Sequence, residues 1–225
     1  VRVGGRTHHE RPAGTVTTTG RPRDAMRAVS TFGSALKTTS PERSYPTLRG
    51  HPPLVELGDR LATPPGLSGP DTGVRLVLPA DRRHVYVAAP LAYYLGATVV
   101  PADGGTPRLT TDEGLDVALD APDYERAVRR ALERSFLLDC VVRTEGYYTV
   151  DLHERRLVER RLSDAFDPAA LYDRPLAARL EAYHALPFDA IADAVPDWGL
   201  ATHVEPAPSH VRMLPFLADE LAVVN

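Results

Sequence analysis

The chain has 225 residues, of which 43% are hydrophobic and 25% are charged, and its formal net charge is −4 at pH 7. This length allows one large domain or two small ones. The acidic balance argues against nucleic-acid binding as the main role. No run approaches eighteen apolar residues, which predicts no membrane span. The single cysteine, Cys140, excludes an internal disulfide framework and is typical of a reducing cytoplasm.

The first 72 residues predict an N-terminal segment of mixed structure. A threonine-rich run at 15–19 is typical of an edge strand. Residues 22–37 carry apolar side chains at three- and four-residue spacing, which predicts an amphipathic helix with Pro22 in its first turn. Residues 38–72 are rich in proline and lack a helical period, so we predict a long irregular connection containing a short strand at 54–57.

Residues 74–102 form the most apolar stretch and predict a strand, a short helix and a second strand. Pro90 suits a first helical turn, so we expect the helix from about residue 89 to residue 95, with Gly96 as a left-handed cap. Two apolar strands joined by a helix indicate a parallel pair buried on both faces. A hairpin is predicted at 107–119, around a turn that contains Gly114.

The rest of the chain supplies the helices that would cover this unit. We predict a helix that begins at Pro122 and is ended by Gly146, followed by helices at 151–162, 168–186 and 187–195, the second of these three kinked or split at Pro175. Strands are expected at 199–204, at 211–214 and from 221 onward. The predicted fold is therefore α/β, with a central βαβ-type unit and a hairpin covered by helices, in a domain at 73–225. Both ends fall within strand-like sequence, which suggests that this domain continues beyond residue 225 in a longer parent chain.

Cys140 and the histidines were weighed as catalytic or metal-binding groups. A nucleophilic cysteine needs a base such as His153, His184 or His203 nearby, whereas the apolar neighbours of Cys140 indicate a buried core residue. His8, His9 and Glu10 are the densest set of potential metal ligands, but adjacent residues on an extended chain point to opposite sides. We therefore predict no catalytic residue, no metal site and no cofactor.

The irregular segment 38–51 is the strongest candidate for ligand binding. It gathers Arg43, Tyr45, Arg49 and His51, and arginines with hydroxyl groups on a loop suit a phosphate or a carboxylate. In the alternative interpretation, these arginines pair with acidic residues of the same chain and fix the loop. The lack of a glycine-rich cradle favours this structural role.

Four segments carry a resemblance to a known family: SALKTTSPERSYPTLRGHPP, APLAYYLGATVVP, LLDCVVRTEGYYTVDLHERR and ATHVEPAPSHVRMLPFLADELAVV. From about Arg6 onward the chain resembles largely uncharacterised haloarchaeal proteins with a caspase-like CHAT domain towards the C-terminus. The His-Gly and Cys-Gln catalytic stretches of that domain have no match here, so Cys140 does not take the role of nucleophile. The resemblance implies a region before the catalytic domain, with a scaffold, sensor or partner-binding role.

The leading functional hypothesis is a non-catalytic accessory, sensor or interaction region of a larger cytoplasmic protein, regulating a linked caspase-like peptidase. Its expected partners are the C-terminal domain of the same parent chain and other proteins, with neither nucleic acid nor membrane. The alternative is a small-molecule or anion-binding α/β domain, or an enzyme, that uses the 38–51 loop. A purely structural interaction module is a third hypothesis, and it predicts an exposed apolar patch.

Overall fold

The computed structural model describes residues 12–102, 104–120, 123–162 and 165–225, and it confirms the α/β fold class. The helices within these ranges are α1 (Pro22–Ser30), α2 (Arg82–Leu95), α3 (Tyr124–Val142), α4 (His153–Leu162), α5 (Pro168–Tyr172), α6 (Leu176–Ala185), α7 (Phe188–Ile191) and α8 (Leu214–Asp219). The strands are β1 (Thr15–Thr18), β2 (Leu54–Leu57), β3 (Val74–Leu78), β4 (Thr98–Pro101), β5 (Arg108–Thr111), β6 (Asp116–Ala118), β7 (Ala201–Thr202) and β8 (Val223–Val224). None of the helices in the described ranges is long and apolar enough to cross a membrane.

The main sheet has four strands in the order β4-β3-β5-β6. Strands β3 and β4 are parallel, with Leu76 opposite Val99, and β5 and β6 form the predicted hairpin. The prediction of burial on both faces is wrong. Strand β5 pairs antiparallel with β3, and β3 alternates between fully buried Leu76 and exposed Arg75. A mixed sheet of this kind can leave one face open to water, as this one does around Arg75.

Helix α2 lies at the centre of the molecule and is buried on nearly every side. The Asp81 carboxylate caps its first turn by accepting a hydrogen bond from the His84 N–H at 3.1 Å, and Gly96 ends it with φ = 56°. The predicted start near residue 89 is wrong, because the helix begins at Arg82 and contains Pro90 in its interior. An interior proline removes a helical hydrogen bond at a cost of about 3 kcal/mol. Apolar contacts around the whole helix offset this cost.

Helix α1 packs on α2 and β4, and Met26 and Val29 of the predicted apolar stripe are buried in it, as is Phe32 just beyond its end. It ends at Ser30 rather than near residue 37, and a 3₁₀ turn follows at Phe32–Ala35. Strands β1 and β2, both predicted, pair in parallel. Core side chains from residues 12–72 and from later residues belong to one hydrophobic cluster. The division into domains at residue 72 stays a prediction.

In the C-terminal third, the predicted break at Pro175 is confirmed and the strand predicted at 211–214 is not found. The predicted helix at 168–186 is split at Pro175 into α5 and α6. The strand predicted at 211–214 is wrong, because Pro208–Met213 is a 3₁₀ helix that leads directly into α8. Pro215 lies in the first turn of α8, where a backbone N–H has no partner within the helix, so the missing N–H of proline costs nothing there. Strand β8 pairs in parallel with β7 beside α2.

Gly33 lets the turn after α1 touch the turn after α2. A Cβ atom at Gly33 would lie 2.8 Å from the Gly96 Cα and 3.1 Å from the Pro70 Cδ, and the first of these contacts is with backbone. We expect Gly33→Ala to lower the free energy of unfolding by about 1–3 kcal/mol in urea denaturation. Gly199→Ala is the matched control, because a Cβ atom there meets nothing within 4 Å. Equal stability of the two variants would contradict the close packing at Gly33.

Candidate functional site

A buried carboxylate on α3, that of Asp139, is the centre of a charged cluster. Its side chain is fully buried, and its two oxygens accept hydrogen bonds from the Tyr94 hydroxyl at 2.8 Å and the Tyr183 hydroxyl at 3.0 Å. Arg43 Nη2 lies 2.7 Å from one carboxylate oxygen, and Arg179 Nε lies 3.9 Å from the other. We call these five residues the Asp139 cluster. They join α2, α3, α6 and the 3₁₀ turn that carries Arg43.

Arg43 is held inside the protein by charge and by stacking. Its side chain is fully buried, and its guanidinium lies 4.7 Å from the centre of the Tyr94 ring. Burial is the largest single effect on the pKa of Arg43 and lowers it, but Asp139, together with Tyr94 and Tyr183, raises it by more in sum, so the net pKa is raised. The guanidinium therefore remains charged, and its role is to hold the 38–51 loop against α3.

Arg179 is the second guanidinium beside the same carboxylate. Burial lowers its pKa, and the repulsion from Arg43 adds to this effect, so the attraction of Asp139 does not restore the usual value. Arg179 also donates hydrogen bonds to the carbonyl oxygens of Thr39 and Arg174, the second at 3.1 Å. These bonds fix the start of the 38–51 loop to α6.

The two tyrosines of the cluster act as hydrogen-bond donors. Burial, together with the nearby charge of Asp139, raises the pKa of Tyr94 and of Tyr183 well above the usual value. Both hydroxyls therefore keep their protons at neutral pH. The cluster therefore consists of hydrogen-bond donors around one acceptor, the Asp139 carboxylate, and this arrangement holds the surrounding elements together.

The predicted ligand residues of the 38–51 loop do not converge on one point. Arg43 belongs to the Asp139 cluster, whereas the Tyr45 ring lies under the guanidinium of Arg143, at 3.8 Å from its centre. His51 contacts the ring of Phe216 in an edge-on arrangement, with 5.1 Å between the ring centres.

Arg49, another member of the predicted set, lines a cavity of about 540 Å³. Its Nη1 donates hydrogen bonds to the carbonyl oxygens of Arg43 at 2.6 Å and Ser44 at 3.1 Å. Ligand binding by Arg43, Tyr45, Arg49 and His51 stays a prediction, and Arg49 is the residue with room for a ligand beside it.

Cys140 lies one turn beyond Phe136 on α3 and is partly exposed. Burial raises the pKa of its thiol to about 11, against a smaller opposing effect of Arg143. A thiol with this pKa is protonated at neutral pH and is a weak nucleophile.

His203 and His184, two of the possible bases for Cys140, have other contacts or none. His203 Nδ1 lies 3.0 Å from the Asn225 carbonyl oxygen, and His184 Nε2 is buried with no hydrogen-bond partner among the described residues. In the ranges that the structure describes, no three His, Cys, Asp or Glu side chains are placed to hold a metal ion. His8, His9 and Glu10 lie outside those ranges.

The members of the cluster other than Arg43 were not identified from the sequence. The available signal was Asp139 itself, since a lone aspartate interrupts the apolar run 136–142 on the strongest predicted helix. Aspartate is almost never fully buried unless it is paired. The position therefore indicated a buried cation, but its partners are distant along the chain, with Tyr94 45 residues away.

Comparison with known proteins gives no relative of this chain. No family model, no curated protein and no solved structure matches it. The resemblance to haloarchaeal CHAT-associated proteins therefore stays a prediction, and the functional argument depends on geometry.

Replacing the central carboxylate tests the Asp139 cluster. Asp139→Asn leaves two buried guanidiniums without a counter-charge, so we expect the free energy of unfolding to fall by about 3–5 kcal/mol in urea denaturation. The control is Asp193→Asn, which removes an exposed ion pair with Arg161 at 2.6 Å and should cost about 1 kcal/mol or less. A loss for Asp139→Asn as small as that of the control would show that the cluster does not anchor the fold.

The buried ring of His184 makes the free energy of unfolding depend on pH in the acidic range. Burial, with a contribution from Arg134, lowers its pKa from 6.5 to about 3, so the folded protein holds the neutral ring. The unfolded chain binds a proton below pH 6.5, and stability therefore falls as the pH is lowered from 6.5 towards 3, by up to about 1.4 kcal/mol per unit. His184→Phe should flatten this part of the pH profile of the unfolding free energy. An unchanged slope would contradict the assignment to His184.

Proposed function

We propose that the chain is a non-catalytic accessory and interaction region of a larger cytoplasmic protein, and that it regulates a caspase-like peptidase domain linked to it. The observation that supports an interaction role is an apolar groove between β2 and α8. Its walls are formed by Leu54, Val55, Met213, Phe216 and Leu217, and its volume is about 590 Å³. We call it the β2–α8 groove.

Large apolar side chains are exposed in and beside this groove. The exposed fractions are 55% for Phe216, 41% for Met213 and 44% for the neighbouring Leu57 on β2. Scattered single apolar residues are ordinary on a protein surface, whereas contiguous apolar patches mark interaction sites. The three side chains come from β2, α8 and the 3₁₀ helix that precedes α8, and these three elements pack on one another.

The groove fits an extended apolar segment of the parent protein. Within the described residues, β2 pairs with β1 along one edge and with no strand along the other. A strand edge beside apolar pockets binds an extended chain by main-chain hydrogen bonds and by alternate side chains. One charge of each sign, Glu56 and Arg212, lies at the groove, so its net charge favours an uncharged segment.

The occupant that we propose is a segment of the C-terminal domain of the same parent chain. The resemblance to CHAT-associated proteins supports this choice, because it places a second domain on the same polypeptide. A groove filled from within one protein would carry a signal between this region and that domain.

Hydrogen exchange on the intact parent protein tests the groove. Phe216→Asp places a charge in the apolar groove, and we expect the amides of β2 to exchange about tenfold faster or more than in the wild-type parent, because the docked segment leaves. Val150→Asp is the control, since Val150 is 48% exposed and does not line the groove. The amides of α3 report whether each variant is folded.

Two outcomes would contradict the proposal. One is equal exchange of the β2 amides in the wild-type and Phe216→Asp parent proteins. The other is protection that depends on protein concentration, which would assign the groove to a second copy of the chain.

A further inference from the structure

Arg49 lines a second cavity, which has the composition of a small-molecule site and lies apart from the β2–α8 groove. Its volume is about 540 Å³, within the usual range for such sites. We call it the Arg49 cavity. Its lining includes Arg49, Phe136, Trp198, Leu200, Glu220 and Leu221.

One side of the Arg49 guanidinium is fixed and the other lacks an acceptor. Nη1 donates hydrogen bonds to the carbonyl oxygens of Arg43 and Ser44, which sets the position of the group. Nε is buried and has no hydrogen-bond partner among the described residues. A buried donor left without an acceptor destabilises the structure that contains it. Because Arg49 lines the cavity, a carboxylate bound there would pair with its guanidinium through a charge-assisted hydrogen bond.

Two of the residues that line the cavity, Trp198 and Phe136, are aromatic and pack on each other. The rings of Trp198 and Phe136 meet edge-on, with centres 5.5 Å apart. The Trp198 indole N–H donates a hydrogen bond of 2.6 Å to the Leu221 carbonyl oxygen, which holds the indole in place. Flat apolar surfaces of this kind bind the body of a ligand, while a few polar groups fix its orientation.

Leu221 holds a backbone conformation that usually belongs to glycine. Its φ is 50°, and it ends α8 with a hydrogen bond from the Ala222 N–H to the Leu217 carbonyl oxygen at 2.8 Å. Glycine is the usual residue at this position of a helix end, and a side chain there is strained. Leu221 lines the cavity and carries an apolar side chain, whereas a glycine at this position would carry none.

Charge restricts the kind of anion that the cavity accepts. Glu220 and Asp197 line it together with Arg49, so the fixed charges include two carboxylates and one guanidinium. A dianion such as phosphate would be repelled by the two acids, whereas a single carboxylate can pair with Arg49. We propose that the Arg49 cavity binds a small monocarboxylate with an apolar or aromatic body. This inference does not depend on the proposed interaction role.

Trp198 reports on binding directly, because it is the only tryptophan in the chain. We expect titration with 3-phenylpropanoate to give a saturable change in its fluorescence, with a dissociation constant on the order of millimolar or lower. The uncharged analogue 3-phenylpropan-1-ol should bind about tenfold more weakly or worse, since it lacks the group that pairs with Arg49. Inorganic phosphate should give no saturable change.

Two variants separate the ligand role of Arg49 from its structural role. Arg49→Gln should weaken 3-phenylpropanoate binding about tenfold or more. Leu200→Glu keeps Arg49 and adds a carboxylate at a cavity residue that is 41% exposed, so it should weaken binding without unfolding the protein. Arg60→Gln, at an exposed arginine outside the cavity lining, should bind as the wild type does.

The outcome of the titrations decides the proposal. If Arg49→Gln fails to fold, as judged by its thermal melt, the comparison of Leu200→Glu with Arg60→Gln decides alone. The absence of saturable binding to the wild type, equal affinity for the acid and the alcohol, or wild-type affinity in Leu200→Glu would each overturn the site.

Discussion

The fold depends on one carboxylate, that of Asp139, placed where water does not reach it. A buried carboxylate is tolerated only when cations and hydrogen-bond donors surround it. Arg43 and Arg179 provide the charge, and Tyr94 and Tyr183 provide the hydroxyl donors. Because these donors come from two other helices and from the 38–51 loop, satisfying one acceptor fixes three separate parts of the chain to α3.

The same contacts place the residues through which we propose that the protein acts. The carbonyl oxygen of Arg43 accepts a hydrogen bond from Arg49, so the buried ion pair also sets the guanidinium at the Arg49 cavity. Further along the loop, His51 contacts Phe216 at the β2–α8 groove. An irregular loop of this length usually carries function or is disordered. Here buried arginines hold the loop in place, and its side chains Arg49 and His51 lie at the Arg49 cavity and against Phe216 of the β2–α8 groove.

Local sequence signals predicted those elements whose causes are local. The central strand–helix–strand unit, the hairpin around Gly114 and the break at Pro175 each follow from nearby apolar spacing or from one residue's backbone preference. The signals failed where tertiary contacts decide. Pro90 lies inside α2 because the core surrounds that helix, and the Asp139 cluster joins residues more than 40 positions apart. Arg49 was among the predicted ligand residues, but the aromatic residues that line its cavity, Phe136 and Trp198, come from distant segments.

A double-mutant cycle on Arg43 and Asp139 tests the central claim most directly. Arg43→Met and Asp139→Leu are made singly and together, and the free energy of unfolding is measured for each protein by urea denaturation. Asp139→Leu leaves Arg43 and Arg179 without a counter-charge, and Arg43→Met leaves Asp139 with only the more distant Arg179, at 3.9 Å. If the ion pair organises the fold, the double variant should therefore be more stable than the sum of the single effects predicts, by about 2 kcal/mol or more. Additive effects, within about 0.5 kcal/mol, would show that the two residues do not depend on one another and would contradict the account.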